Sequence, residues 1–198
     1  MFASQQDQAV NRPFVVGIGG TAGGPSSTER ALSIAMAAVA ARGVDTLILG
    51  GEFLGRLPIF VPKAQRTPEE RELVDAVRRA DGLLIASPGY HGCVSGMVKN
   101  ALDLLEETAK DSRVYLSGMP VGLVVTAYGW QATGGTLSAL RSVVHALRGW
   151  PTPMAAAINS SISRFREDGS CEDTAASGQL SLVGDQVADF LLTPRKSA

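Results

Sequence analysis

At 198 residues the chain has the length of a single domain and enough material to bury one sizeable core, so a second domain is not expected. Hydrophobic residues make up 45% and charged residues 19%, the composition of a soluble globular protein, and a formal net charge of −1 gives no electrostatic reason to expect nucleic acid or an acidic membrane as partner. The apolar runs are short and broken by Gly, Pro or charge, and the first residues have neither a basic region nor a hydrophobic core, so no leader or membrane span is expected and the cytoplasm is the expected location.

Residues 1–12 are polar and expected to fray. Phe14, Val15, Val16, Gly17 and Ile18 then form a short apolar run suited to a central parallel strand. The Gly-rich stretch 19–28 follows and leads into a helix whose Leu32, Ala35, Met36 and Val39 share one stripe. A strand, a Gly-rich loop and a helix N-terminus offer an anion unpaired N–H groups, the positive end of the helix dipole and the hydroxyls of Thr21, Ser26, Ser27 and Thr28, which suits a phosphate monoester. The same stretch reads equally well as a capping box, Ser26 with Glu29 three positions on, with glycine only shaping the turn. Gly17, Gly19 and Gly20 do not complete the dinucleotide spacing Gly-x-Gly-x-x-Gly. Gly43 ends the helix, 46–49 is the second strand, and 52–62 is read as a long loop whose apolar residues anchor it to the surface or serve as a lid or subunit contact. Thr67, Pro68, Glu69 and Glu70 start the next helix, with Leu73, Val74 and Val77 facing inward.

The third apolar run, Gly82, Leu83, Leu84, Ile85 and Ala86, reads as a buried strand, and the segment after it carries the strongest signal. Pro88-Gly89 is a turn dipeptide, Gly92 and Gly96 permit close backbone approach, and Ser95 can cap a helix in which Val98, Ala101, Leu102 and Leu105 share a face. With Ser87, Pro88, Tyr90, His91, Gly96, Lys99, Asn100, Ala101, Leu102 and Asp103 at fixed spacing, the segment resembles the isoalloxazine-binding loop of NAD(P)H-dependent FMN reductases with a flavodoxin-like fold. It departs from that family's pattern at Gly89, Cys93 and Val98. The first loop resembles the family's phosphate loop at Gly20, Thr21, Ser26 and Thr28; Gly23 stands where the family often has Arg, which leaves phosphate affinity more to hydroxyls and backbone.

After a polar connection at 107–116, residues 120–126 are the fourth strand, followed by a second Gly-rich segment, 127–135, and a helix with Leu137, Leu140, Val144 and Leu147 on one face. In the resembling family a loop in this position contacts the edge of the flavin ring, which implies a cofactor role for Thr126, Ala127, Tyr128 and Gly129. Tyr128 and Trp130 are read either as stacking or lid residues or as loop anchors. Residues 153–158 are the fifth strand, 164–178 a polar excursion, and Leu180, Val183, Val187, Phe190 and Leu191 build the last helix. Five strands alternating with helices argue for a three-layer, doubly wound α/β fold around a parallel sheet. Ligands of such sheets bind beyond the carboxyl ends of the strands, where the loops after strands one, three and four all lie. The resemblance makes the sheet flavodoxin-like, with strand order 2-1-3-4-5, and makes 13–193 one FMN-binding domain between the segment 1–12 and a tail at 194–198.

Hydrolytic chemistry is poorly served by the two histidines. His145 lies on a helix beside Val144 and Leu147 and reads as structural or surface; His91, with no partner carboxylate in view, reads as a loop residue. Cys93 precedes a helix, but no base is indicated for it as a nucleophile. Cys93 and Cys171 lack metal-ligand spacing and are too few for a disulfide framework, so both read as reduced thiols and no metal is predicted. The resemblance implies an FMN-dependent NAD(P)H oxidoreductase that passes electrons to a small-molecule acceptor or a flavin-dependent monooxygenase, with no catalytic side chain. Phosphate then falls to Thr21, Ser26, Ser27 and Thr28, and the ring to Pro88, Gly89, Tyr90, His91 and Gly92, closed at its edge by 126–129. A quinone or azo reductase on the same scaffold and a flavodoxin-like electron carrier are the alternatives. Met97 and Leu104 lie beyond the stripe needed against the parent sheet, and the family packs this helix against a second subunit, which implies a homodimer or a homotetramer. The alternative is a monomer with both residues packed under the 57–62 loop.

Overall fold

The computed structural model describes residues 12–193; apart from Arg12, the fraying segment expected over 1–12 and the tail expected over 194–198 lie outside the described residues. Four apolar runs become parallel strands: β1 (Phe14–Gly19), β2 (Asp45–Leu49), β3 (Gly82–Tyr90) and, after the two-residue β4 (Cys93–Val94), β5 (Pro120–Ala127). All of β5 and the first seven residues of β3 are buried, as strands covered on both faces must be. The outer position beside β5 is shared by β6 (Trp150–Pro151) and β7 (Ala156–Asn159). The order is β2-β1-β3-β5 with β6 and β7 outermost; with the hairpin strand β4 set aside and β6 and β7 counted as one interrupted strand, this is the expected order 2-1-3-4-5.

Side chains alternate between two cores, as the period of two in a strand requires. Val16, Ile18, Leu83, Ile85, Leu123 and Val125 pack on one face with α3 (Pro68–Arg79), α4 (Gly96–Asp103) and α5 (Trp130–Ala146). Val15, Leu84, Ala86 and Val124 pack on the other with α1 (Ser27–Ala41) and α6 (Thr174–Leu192). The result is the three-layer, flavodoxin-like α/β sheet.

Several boundaries differ from the sequence reading, each for a local reason. Pro88-Gly89 is not the turn: β3 continues to Tyr90, and Pro88 lies in register beside Thr126. The 52–62 loop opens with a short helix, α2 (Gly51–Leu54). Trp130 to Gly135 is helical and begins α5, while α6 starts inside the 164–178 excursion at Thr174, capped by Asp173, whose carboxylate accepts from the amides of Ala175 and Ala176 at 3.0 and 3.1 Å. The fifth strand does not run through 153–158. Pro153 has no N–H to give, and neighbouring side chains take over the backbone groups here: Arg141 donates to the carbonyls of Thr152 and Pro153, and the Met154 amide donates to Gln186 at 2.9 Å.

Leu104 does not spill outward from the helix after the central loop. The α4 helix gives way to a 3-10 turn at Leu104–Thr108, which rotates Leu104 and Leu105 into the core with no exposure, and Met97 is half-buried against the same cluster.

Candidate functional site

The first loop behaves as a helix cap with one departure. Ser26 Oγ accepts from the Glu29 amide at 3.2 Å, but the Glu29 carboxylate does not return to the cap and instead accepts from the Gly51 amide at 3.3 Å. One residue into α1, Thr28 is buried and its hydroxyl lies 2.5 Å from that of Thr126 at the end of β5. The loops after β1 and β5 are thereby joined across β3.

The central stretch is a β-hairpin. β3 and β4 pair antiparallel, and the two residues between them, His91 (φ 52°) and Gly92 (φ 77°), both take the positive φ of a type I′ turn. Behind it, buried Ser87 accepts from the Ser95 amide at 3.0 Å and donates to the Pro88 carbonyl at 2.9 Å, and Ser95 caps α4 by accepting from Val98 at 3.2 Å. The hairpin lies directly on α5. A Cβ on Gly135 would stand 2.9 Å from the Gly92 carbonyl oxygen, and one on Gly89 would stand 2.7 Å from Thr136 Oγ1. That Thr136 hydroxyl is buried without a hydrogen-bond partner among the described residues.

Lys99, Asn100 and Asp103 do not line the site. Lys99 pairs with Asp103 at 2.6 Å along the helix. Asn100 fastens the loop after α2, donating to the Pro58 carbonyl at 2.9 Å and accepting from the Phe60 amide at 2.7 Å.

The third loop is held from beneath by Asn159 at the end of β7. Its Oδ1 accepts from the amides of Gly129 and Ser161, both at 3.1 Å, and from the Ser161 hydroxyl at 2.7 Å. Tyr128 and Trp130 project from this loop, 84% and 62% exposed, which favours the lid reading over a buried anchor.

These loops enclose a cleft of about 330 Å³. Thr21, Ser26, Ser27 and Thr28 line it from the first loop; Pro88, Gly89, Tyr90 and His91 from the hairpin; Thr126, Ala127 and Tyr128 from the third. Gly92 and Gly129 line an adjoining cleft of about 420 Å³ with Trp130 and Gln131, and the two clefts share His91, Tyr128 and Ala132. The sequence reading missed Ala132 and Ser160. Ser160 directly follows β7, so the rule that placed the other loops at strand carboxyl ends also pointed to it.

Among the described residues no Lys or Arg lines the first cleft. Thr21 in the first loop and Ser26, Ser27 and Thr28 at the start of α1 line it together with Pro88 and Gly89, a lining that fits the phosphate and the planar ring of FMN. His145 sits on the surface with Nδ1 2.8 Å from the Arg141 carbonyl. Cys93 is exposed on the hairpin and Cys171 half-buried, both as free thiols. Among the described residues no cluster of His, Cys, Asp or Glu could hold a metal, and no helix is long and apolar enough to cross a membrane.

The sequence profile of the NADPH-dependent FMN reductase family matches residues 13–162. An FMN-dependent NADPH-azoreductase of Staphylococcus aureus is 33% identical over 123 residues, which span 61% of this chain and 62% of that enzyme. Among solved structures, the Paracoccus denitrificans flavoenzyme FerB, an NAD(P)H:acceptor oxidoreductase, superposes with a TM-score of 0.74 at 20% identity, over 90% of this chain and 97% of that one. An apo NADH:FMN oxidoreductase superposes with a TM-score of 0.68 at 24% identity, over 89% of this chain and 88% of that one. At these identities the superpositions show the shared flavodoxin-like fold.

Proposed function

The chain belongs to the NADPH-dependent FMN reductase family, and on that premise we propose that it is an FMN-dependent NAD(P)H oxidoreductase whose cleft holds FMN. One observation carries the assignment to this cleft: three loops distant in sequence converge there, so that the hydroxyl residues Thr21, Ser26 and Ser27 and the hairpin residues Pro88 and Gly89 line one cleft. FMN, when bound, supplies the hydride chemistry.

The chain's own residues bind and orient. Thr21, Ser26 and Ser27 hold the phosphate, with the Thr28–Thr126 pair beneath them. The hairpin backbone from Pro88 to Gly92 supports the ring, and its type I′ turn and its seat on α5 keep it from yielding. Tyr128 and Gly129 close the ring edge, and the exposed rings of Tyr128 and Trp130 limit water at the mouth. No side chain is assigned proton transfer or nucleophilic attack. The absorption spectrum of the purified chain should be that of a flavin, and NADH or NADPH should bleach it; nicotinamide turnover also separates this reading from an electron carrier. A chain that binds no FMN, or FMN that neither nicotinamide reduces, overturns the proposal.

The same exposed aromatics support a planar aromatic acceptor, as the azoreductase relatives' name suggests. Faster reoxidation by quinones or azo compounds than by free flavin would support this acceptor class, and the reverse order would reject it.

Assembly as a homodimer is proposed on other residues than Leu104. Ile59 and Val61, 79% and 54% exposed, project from the loop that Asn100 ties to α4, and together with half-buried Met97 they offer apolar area to a second copy. A mass near 20.7 kDa by light scattering, the single-chain value, would reject the dimer.

A further inference from the structure

Where β1 runs into the first loop and β2 into α2, two turns cross at backbone contact. A Cβ on Gly51 would stand 2.0 Å from the Thr21 carbonyl oxygen, and one on Gly20 2.6 Å from the Gly51 nitrogen, so neither position has room for a side chain. Glu29 fastens the crossing. Its Oε1 accepts from the Gly51 amide at 3.3 Å, 22 residues along the chain, and a Cβ on Gly50 would stand 2.4 Å from that same oxygen. Gly50 thus clears the space into which this carboxylate reaches, while Gly20 and Gly51 clear the crossing itself.

The diversion has a local cost. An acid at the third position of a helix ordinarily completes a capping box, as Glu70 does for α3, where its carboxylate accepts from the Thr67 amide at 2.7 Å. Glu29 leaves the corresponding half-box unmade, although its own amide still donates to Ser26. The side chain does not line the cleft, yet the turn that it fastens abuts Thr21, which does, and the helix start from which it reaches carries Ser26, which does too. Thr21 rests its carbonyl against Gly51, and Ser26 is bonded to the Glu29 amide.

We propose that Glu29 is a positioning residue for the phosphate end of the cleft: it locks the β2–α2 turn against the first loop, so that Thr21 and the start of α1 stand where a phosphate monoester binds. This assignment rests on reading the cleft as an FMN site. It makes no demand on the ring end, which is set by the hairpin and by α5.

The test titrates the full-length chain with FMN and with riboflavin, which lacks the phosphate, following flavin fluorescence. Glu29→Ala removes the acceptor and Glu29→Asp keeps the charge but falls short of Gly51. Each should raise the FMN dissociation constant roughly tenfold, the scale of one lost charge-assisted hydrogen bond, and leave riboflavin within about twofold. Glu29→Gln keeps the reaching oxygen and should bind FMN as the parent chain does or more tightly, since a negative charge near the phosphate is gone. Should Glu29→Ala fail to fold, the Asp and Gln variants decide between them. Unchanged FMN binding in Glu29→Asp, or equal loss for FMN and riboflavin, overturns the assignment. A parent chain that binds neither flavin overturns the FMN reading, and the role of Glu29 with it.

Discussion

The hydroxyls of Thr28 and Thr126 meet at 2.5 Å, 98 residues apart in sequence, and tie the first turn of α1 to the carboxyl end of β5. Both residues are buried, so each satisfies the other where water does not reach. Removing one partner is therefore worse than removing both. Thr126→Val should cost about 1–3 kcal/mol, the penalty for a buried hydroxyl left unpaired, whereas Thr28→Val with Thr126→Val should cost less than the sum of the single changes. Denaturant midpoints for the three variants check this, and strict additivity would contradict the pairing.

Thr136 presents the opposite case. Its hydroxyl is buried behind Gly89 with no partner, so replacing it by an apolar group of the same shape loses nothing and removes a desolvation cost. Thr136→Val should raise stability by about 1 kcal/mol and leave the hairpin in place. A loss of stability in urea would mean that the hydroxyl has a partner after all.

Cys93 stands on the exposed hairpin and does not line the cleft. Cys93→Ser should keep nicotinamide oxidation within about twofold of the parent. A fall of about a thousandfold, the scale of a removed covalent nucleophile, would reassign the chemistry.

Asp173 gives the fold a pH dependence of known sign. The Ser163 hydroxyl, at 2.7 Å, and then the amides of Ala176 and Ala175 hold its carboxyl below the usual aspartate range. Because the folded value is depressed, the stability it contributes is present above the unfolded value of about 3.9 and is lost as pH falls through the folded one. Asp173→Asn should therefore unfold more easily than the parent at neutral pH, and the gap should close on acidification below about pH 4. A gap of constant size down to pH 2 would remove Asp173 as its cause.

Much of the fold was legible because parallel strands buried on both faces leave uninterrupted apolar runs: Val15, Val16 and Ile18, or Leu83, Leu84 and Ile85, have few other readings. The turn falls three residues later than the sequence suggests because Pro88-Gly89 carries strong turn chemistry. What overrides it is tertiary: Gly89 is glycine to clear Thr136, while the turn falls on His91-Gly92. Leu104 misled for a similar reason. Helical periodicity put it on a flank, and only the tightening into a 3-10 turn brings it inside. Most of the candidate site residues stand around one cleft because they lie at, or just beyond, the carboxyl ends of parallel strands. The sequence around Glu29 shows only a cap, since nothing local announces a partner 22 residues away.

The broken strand beside β5 also governs how copies of this chain can meet. A sheet edge offers a row of free amides to any passing strand, and such pairing leads to swapped or fibrillar assemblies. Here Pro151 and Pro153 have no amide to offer, and the 152–155 interruption already gives its Met154 amide and its Thr152 and Pro153 carbonyls to Gln186 and Arg141. Edge-to-edge growth of the sheet is closed along this 151–154 stretch. Shortening the interruption into a continuous strand would open a template for aggregation at the flank nearest Ser160.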